Sequence, residues 1–170
     1  MSKFDELHQA YVDARRAFFA RRDASIASAT AILEGLERYL ECPRTTLSFL
    51  SRSGGTSLLK THKAEEAVWL GPDGLWRFSI GLDLSEVQAG GRRETAKQTV
   101  VVEVVIQPTD TGFSIGLKGW NKQFDLPKDT ESAEYAAFYE FVFQHIIESY
   151  QKSGQRFFES LADSKRAVDG

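Results

Sequence analysis

The first 42 residues constrain the fold most, because they form one helical pattern that is too long for a compact domain. No proline occurs before Pro43 and no glycine before Gly35. About 38 helical residues span roughly 57 Å, whereas a compact domain of this size is about 40 Å across. The apolar residues recur at steps of three, four, seven or eight, as on one helical face: Phe4, Leu7, Tyr11, Phe18, Ile26, Ala29, Leu33, Leu36 and Leu40.

This length leaves two possibilities. Either the helix breaks near Asp23–Ser28 and forms a hairpin within the monomer, or one end projects and needs a neighbour. A projecting apolar stripe is normally an interface. Arginines within such a stripe must be paired, extend to solvent or meet a partner. We therefore predict a surface for self-association or for a protein partner, formed by Phe4, Leu7, Tyr11, Arg15, Phe18 and Arg22.

The segment from Arg44 to Pro127 has the pattern of strands. "WRFSIGLDL" and "GFSIGLKG" alternate between apolar and polar residues, which indicates strands with one buried face. "GPDG" at Gly71–Gly74 and "PTDTG" at Pro108–Gly112 are typical of tight turns between such strands. "TTLSFLS" and "EAVWL" are shorter candidate strands. We expect an antiparallel meander of about five strands.

The segment from Thr130 to Val168 again has helical periodicity, with an aromatic stripe and a candidate break at Gly154. The order of helix, antiparallel sheet and helix predicts a two-layer α+β fold with a curved sheet. We interpret residues 1–170 as one domain, with an N-terminal helix at 2–42, a sheet at 44–127 and a C-terminal helical zone at 130–168.

The pentapeptide FSIGL occurs twice, at Phe78–Leu82 and at Phe113–Leu117. In each copy Phe, Ile and Leu would face the helices, and Ser and Gly would face away. Glycine weakens the interior of a strand, so its presence needs a reason. We interpret both copies as architectural, because a strand without outer side chains can bend more tightly. Nothing similar extends beyond the pentapeptide, which argues against a duplicated hairpin.

Composition argues against several functions. The net charge of −3 gives no strong field for nucleic acid. A single cysteine, Cys42, permits neither an internal disulfide nor a multi-cysteine metal site, and the three histidines do not have metal-ligand spacing. No apolar run approaches the length of a membrane span, and the first ten residues do not resemble a secretory signal. We expect a cytoplasmic protein without cofactor or metal and without a recognisable catalytic site.

The leading hypothesis is thus a non-enzymatic interaction or accessory protein, self-associating through the N-terminal helix. A second hypothesis is a small-ligand carrier, with an apolar cavity between sheet and C-terminal helix lined by Phe78, Ile115, Phe138, Val142 and His145. A candidate anion site comprises Arg52, Arg92 and Arg93 in two glycine-containing loops. A hydrolase-like enzyme using Asp83 or Glu103 ranks last, because no nucleophile–base pair accompanies those carboxylates.

Overall fold

The computed structural model describes residues 2–52, 58–84 and 98–168, with the backbone alone at 98 and at 153–168. These ranges form three helices and seven strands. In chain order they are α1 (Lys3–Leu40), β1 (Leu47–Arg52), β2 (Leu58–Thr61), α2 (Ala64–Ala67), β3 (Trp69–Leu70), β4 (Trp76–Leu84), β5 (Gln98–Pro108), β6 (Gly112–Leu117), β7 (Gln123–Pro127) and α3 (Ala133–Val168).

Helix α1 has a defined start and a defined end. The Ser2 hydroxyl accepts from the Asp5 backbone amide, and the Asp5 carboxylate accepts from Ser2, which completes a capping box. Hydrogen bonds donated by the Ser2 hydroxyl and by the Ser2 backbone amide stabilise the ionised carboxylate and lower the pKa of Asp5. At the other end Glu41 takes the left-handed conformation, with φ of 50°, and its amide donates back into the last turn. The non-helical Pro43 follows.

The helix is continuous through Asp23–Ser28, so the predicted alternative of a helical hairpin is wrong. Two hydroxyl residues in and after this region bond back to the helix instead of breaking it. Ser25 Oγ donates to the Arg21 carbonyl oxygen at 2.8 Å, and Thr30 Oγ1 donates to the Ile26 carbonyl oxygen at 3.1 Å. Such back-bonding satisfies the side chain without a turn. Helix α3 likewise continues past Gly154, where a break was a candidate.

The strands form one antiparallel sheet in the order β2-β1-β4-β5-β6-β7, with β3 beside the start of β4. "GPDG" joins β3 to β4 and "PTDTG" joins β5 to β6, so both predicted turns are confirmed. Seven strands replace the expected five, since the short β2 and β3 also pair. The candidate strand "EAVWL" is mostly wrong, because Ala64–Ala67 is helical and only Trp69–Leu70 is extended.

The helices pack on one face of this curved sheet, which confirms the predicted two-layer α+β fold. The C-terminal half of α1 and the first part of α3 supply the helical side of the core. The alternating residues of β4 and β6 supply much of the sheet side. The largest fully buried side chains are Phe49, Phe78, Phe138, Ile32, Leu47, Ile80, Ile106, Ile115 and Leu126.

The two FSIGL copies share an inner face but differ on the outer one. As predicted, Phe78, Ile80 and Leu82 are buried in the core, as are Ile115 and Leu117. On the outer face, a Cβ added at Gly81 would lie 3.0 Å from Leu50 Cδ2 and 3.2 Å from Thr99 Cγ2. At Gly116 the nearest atom would be Gln123 Cγ at 3.9 Å. Gly81 therefore makes room for neighbouring side chains, whereas Gly116 lies beneath open space.

This difference makes the two copies a matched test. Gly116→Ala replaces a flexible residue in a strand without a clash, and we expect it to leave the free energy of unfolding unchanged or slightly raised. Gly81→Ala must displace the buried Leu50 and should be about 1–2 kcal/mol less stable than Gly116→Ala. Urea unfolding of both variants measures the difference. Equal unfolding free energies would show that Leu50 yields without cost.

Candidate interaction surface

The N-terminal half of α1 projects from the body of the protein. No side chain between Lys3 and Ala24 is buried, and Ser25 is the first buried residue of the helix. The apolar side chains of Phe4, Leu7 and Tyr11 are 74%, 71% and 61% exposed. The structure therefore places Phe4, Leu7 and Tyr11 of the predicted interface on a projecting helical segment and not within a monomeric hairpin.

The exposed stripe and the buried stripe lie on the same face of α1. Phe4, Leu7, Tyr11, Ala14 and Phe18 are separated by alternating steps of three and four residues. The buried Ser25, Ser28 and Ile32 continue the same spacing. Two apolar positions per seven residues form the narrow seam that packs against another helix. We call Phe4, Leu7, Tyr11, Ala14 and Phe18 the α1 seam.

The seam meets the sheet at Phe18. The Phe18 ring lies 5.4 Å from the Trp76 ring, centroid to centroid, and 5.5 Å from the Phe19 ring. The Arg15 guanidinium lies 5.6 Å from the Phe19 centroid, and Arg22 is half-buried. These two arginines of the predicted interface are therefore placed at the junction between the projecting segment and the body.

A groove of about 480 Å³ lies beside this junction, between α1 and the end of the sheet. We call it the rim groove. Ala14, Ala17, Phe18 and Arg21 line it on the helix side. The turns and strand ends line it on the other side, with Leu70, Gly74, Leu75, Trp76, Ile106, Gln107 and Pro108. Sequence reasoning missed this groove, because its two walls are more than 45 residues apart in the chain.

Charge is divided along the projecting segment. Its first three turns carry Lys3, Asp5, Glu6 and Asp13, with a net charge of −2, and the next three turns carry Arg15, Arg16, Arg21, Arg22 and Asp23, with a net charge of +3. Asp13 and Arg16 approach to 3.6 Å, but both side chains are mostly exposed, so this pair adds little stability. One half of the segment is therefore acidic and the other half is basic.

The other candidate residues do not join this surface. On the outer face of the sheet, Glu103 lies within 3.8 Å of Arg52, 3.5 Å of Arg77 and 3.1 Å of Lys118. Asp83 pairs with Lys60 and accepts from Thr99. Both carboxylates proposed for a hydrolase are thus engaged in cross-strand ion pairs.

The candidate anion site is described only in part. The Arg52 guanidinium lies 4.1 Å from the Trp69 ring centroid and pairs with Glu103. Arg92 and Arg93 lie outside the described residues. The convergence of these three arginines stays a prediction.

The residues of the proposed ligand cavity divide into two groups. Phe78, Ile115, Phe138 and Val142 are packed within the hydrophobic core. His145 is half-buried and contacts Trp120 and Phe141 instead, and its burial lowers its pKa. The carrier hypothesis stays a prediction.

The aromatic cluster around His145 was not foreseen. The ring centroids of Trp120 and Phe124 lie 5.0 and 5.1 Å from that of Phe141. Lys122 Nζ lies 4.8 Å from the ring centroids of both Phe124 and Phe141. The signal available in the sequence was weak, because "WNKQF" has two aromatic residues separated by three polar ones and is too short to establish a strand or a helix period. These aromatic and cation–π contacts pack the loop before β7 against α3 and stabilise that packing.

Comparisons with protein-family models, with curated proteins and with solved structures found no match to this chain. Within residues 2–52, 58–84 and 98–168, no three His, Cys, Asp or Glu side chains are grouped as metal ligands would be. In the same part of the chain, none of the helices combines the length and the apolar character needed to cross a membrane.

Proposed function

We propose that this chain is an interaction protein that self-associates through the projecting half of α1. One observation carries the proposal. A continuous 38-residue helix extends beyond the sheet and exposes Phe4, Leu7 and Tyr11 on the face that is buried further along the same helix. A face that is largely apolar but covered for only half its length is suited to binding a second surface.

The size of the exposed stripe supports this proposal. Phe4, Tyr11 and Phe18 are 74%, 61% and 43% exposed. With about 200 Å² for each aromatic side chain, they leave roughly 350 Å² of surface in water, before Leu7 is added. Patches of that size on a monomer are often functional. Burying such a surface is the dominant favourable term in protein association.

The stability of the segment itself points the same way. Isolated helices of this length are marginal in water, and most helical stability in proteins comes from packing an apolar face. The residues from Lys3 to Arg21 have little packing within the chain, since nearly all of them are exposed. A second helix on the α1 seam would supply the missing contacts.

Native mass spectrometry together with sedimentation equilibrium of the purified protein tests the proposal. We expect twice the 19.1 kDa chain mass, with dissociation on dilution. A monomer at every concentration up to about 100 µM would reject self-association. A dimer with a Kd above about 100 µM would have a free energy of association of under about 5.5 kcal/mol. A monomer that carries a bound small molecule would support the carrier hypothesis instead.

A further inference from the structure

We infer that the second copy lies antiparallel on the α1 seam and that its Phe4 end enters the rim groove. The inference rests on the proposed self-association and adds the direction of the partner and the place where its helix ends. Three independent features of the described residues support it: the division of charge, the sizes along the seam and the position of the groove.

The division of charge favours the antiparallel arrangement. A parallel neighbour would bring the net-negative turns of the two chains to one level and their net-positive turns to another. An antiparallel neighbour places the acidic turns of each chain beside the basic turns of the other. Complementary potentials of this kind favour one orientation of two helices over the other.

The seam fits itself best when the alignment is centred between Val12 and Asp13. In an antiparallel helical pair, the two alternating seam positions face each other. With this centre, Tyr11 faces the partner's Ala14 and Leu7 faces the partner's Phe18. The Tyr11–Ala14 pair sets a large side chain opposite a small one, and two-fold symmetry repeats it on the other side of the centre, which allows the two helices to approach closely there.

The same alignment brings the partner's Phe4 to the level of Arg21, where the rim groove opens. The groove offers the apolar side chains of Leu70, Trp76 and Pro108 on its sheet side. Arg21, on the helix side, is exposed and able to lie over an inserted aromatic ring. In this alignment the partner's helix ends at the rim of the sheet, so insertion of its Phe4 would fix the register.

Cysteine cross-linking tests the direction. The background is Cys42→Ser, which removes the half-buried natural thiol. In the antiparallel alignment Ala10 flanks the partner's Ala17, while each of these residues is distant from its own copy. We expect a covalent dimer as the main product when Ala10→Cys and Ala17→Cys chains are mixed and oxidised, and little product from either chain alone.

The outcomes separate the inference from the proposed function. If wild-type protein is dimeric but the mixture does not cross-link, the antiparallel alignment is overturned and self-association stands. Efficient cross-linking of Leu7→Cys chains with themselves would show a parallel pair and overturn it as well. A protein that is monomeric at all concentrations removes both.

The groove is tested by a matched pair of exposed leucines. Leu70 is 43% exposed at the groove, and Leu84 is 39% exposed at the far end of the same sheet. We expect Leu70→Ala to raise the dimer Kd about tenfold, because two symmetric contacts are lost, and Leu84→Ala to leave it within about twofold. Equal effects of the two variants would overturn the insertion of Phe4.

Discussion

Replacement of Phe4, Leu7 and Tyr11 together by glutamine is expected to convert the assembly to monomers. Each dimer then loses six apolar anchors, and the few central anchors of an interface carry most of its binding energy. We expect the Kd to rise by at least about 1000-fold, which corresponds to roughly 4 kcal/mol. Sedimentation equilibrium at matched concentrations measures the change.

The fold of the monomer should survive this change. The three side chains are largely exposed, and glutamine is a good helix former. A control variant places glutamines on the opposite, polar face of the same helical segment, at Asp13, Arg16 and Ala20, without changing net charge. Circular dichroism should match wild type for the control. If the triple variant at Phe4, Leu7 and Tyr11 keeps the wild-type assembly mass, the proposed function is wrong.

Phe138→Ala is expected to lower the free energy of unfolding by about 3–5 kcal/mol. The Phe138 ring is 1% exposed and packs edge-on against Phe124, with centroids 5.4 Å apart. Its removal leaves a cavity where α3 meets the sheet, and a closely packed core relaxes only in part. Denaturant unfolding in the background of the Phe4, Leu7 and Tyr11 triple variant, which we expect to be monomeric, measures this cost without a contribution from assembly.

Phe143→Ala provides the control, since it removes the same side chain from the same helix at a site that is 37% exposed. We expect it to cost under about 1.5 kcal/mol, because much of that ring is already in water. The pair also tests the carrier hypothesis. If Phe138→Ala costs no more than Phe143→Ala, the Phe138 ring borders open space and a ligand cavity regains support.

Local patterns predicted those parts of the fold that depend on neighbouring residues. The absence of proline and glycine before Gly35 predicted the extent of α1, and alternation predicted the inner faces of β4 and β6. The turns "GPDG" and "PTDTG" predicted two hairpins, because proline, aspartate and glycine adopt the required backbone angles. The predicted interface residues lie where the helix projects, but their role in assembly stays a prediction.

Features of the fold that depend on contacts between distant parts of the chain could not be predicted from local patterns. Strand β2, with the sequence "LLKT", has no useful alternation, and only its pairing with β1 makes it a strand. The continuity of α1 through Asp23–Ser28 accompanies the burial of Ser25, Ser28 and Ala29 within the folded chain, which the local sequence does not reveal. The rim groove arises where α1 passes the ends of the sheet, which no local pattern contains.

Because α1 is continuous, the direction in which its projecting half faces is fixed relative to its packed half. Each residue turns a helix by about 100° and advances it by about 1.5 Å. One residue inserted between Arg22 and Ser25 would therefore swing the α1 seam by more than a quarter-turn away from the rim of the sheet. Seven inserted residues would return the α1 seam to nearly the same direction and would move it about 10 Å further from the sheet along the helix axis. In the proposed assembly the number of residues in α1 would therefore set the direction from which a partner approaches, and we expect a change of helix length to disrupt the assembly as strongly as a change of seam residues.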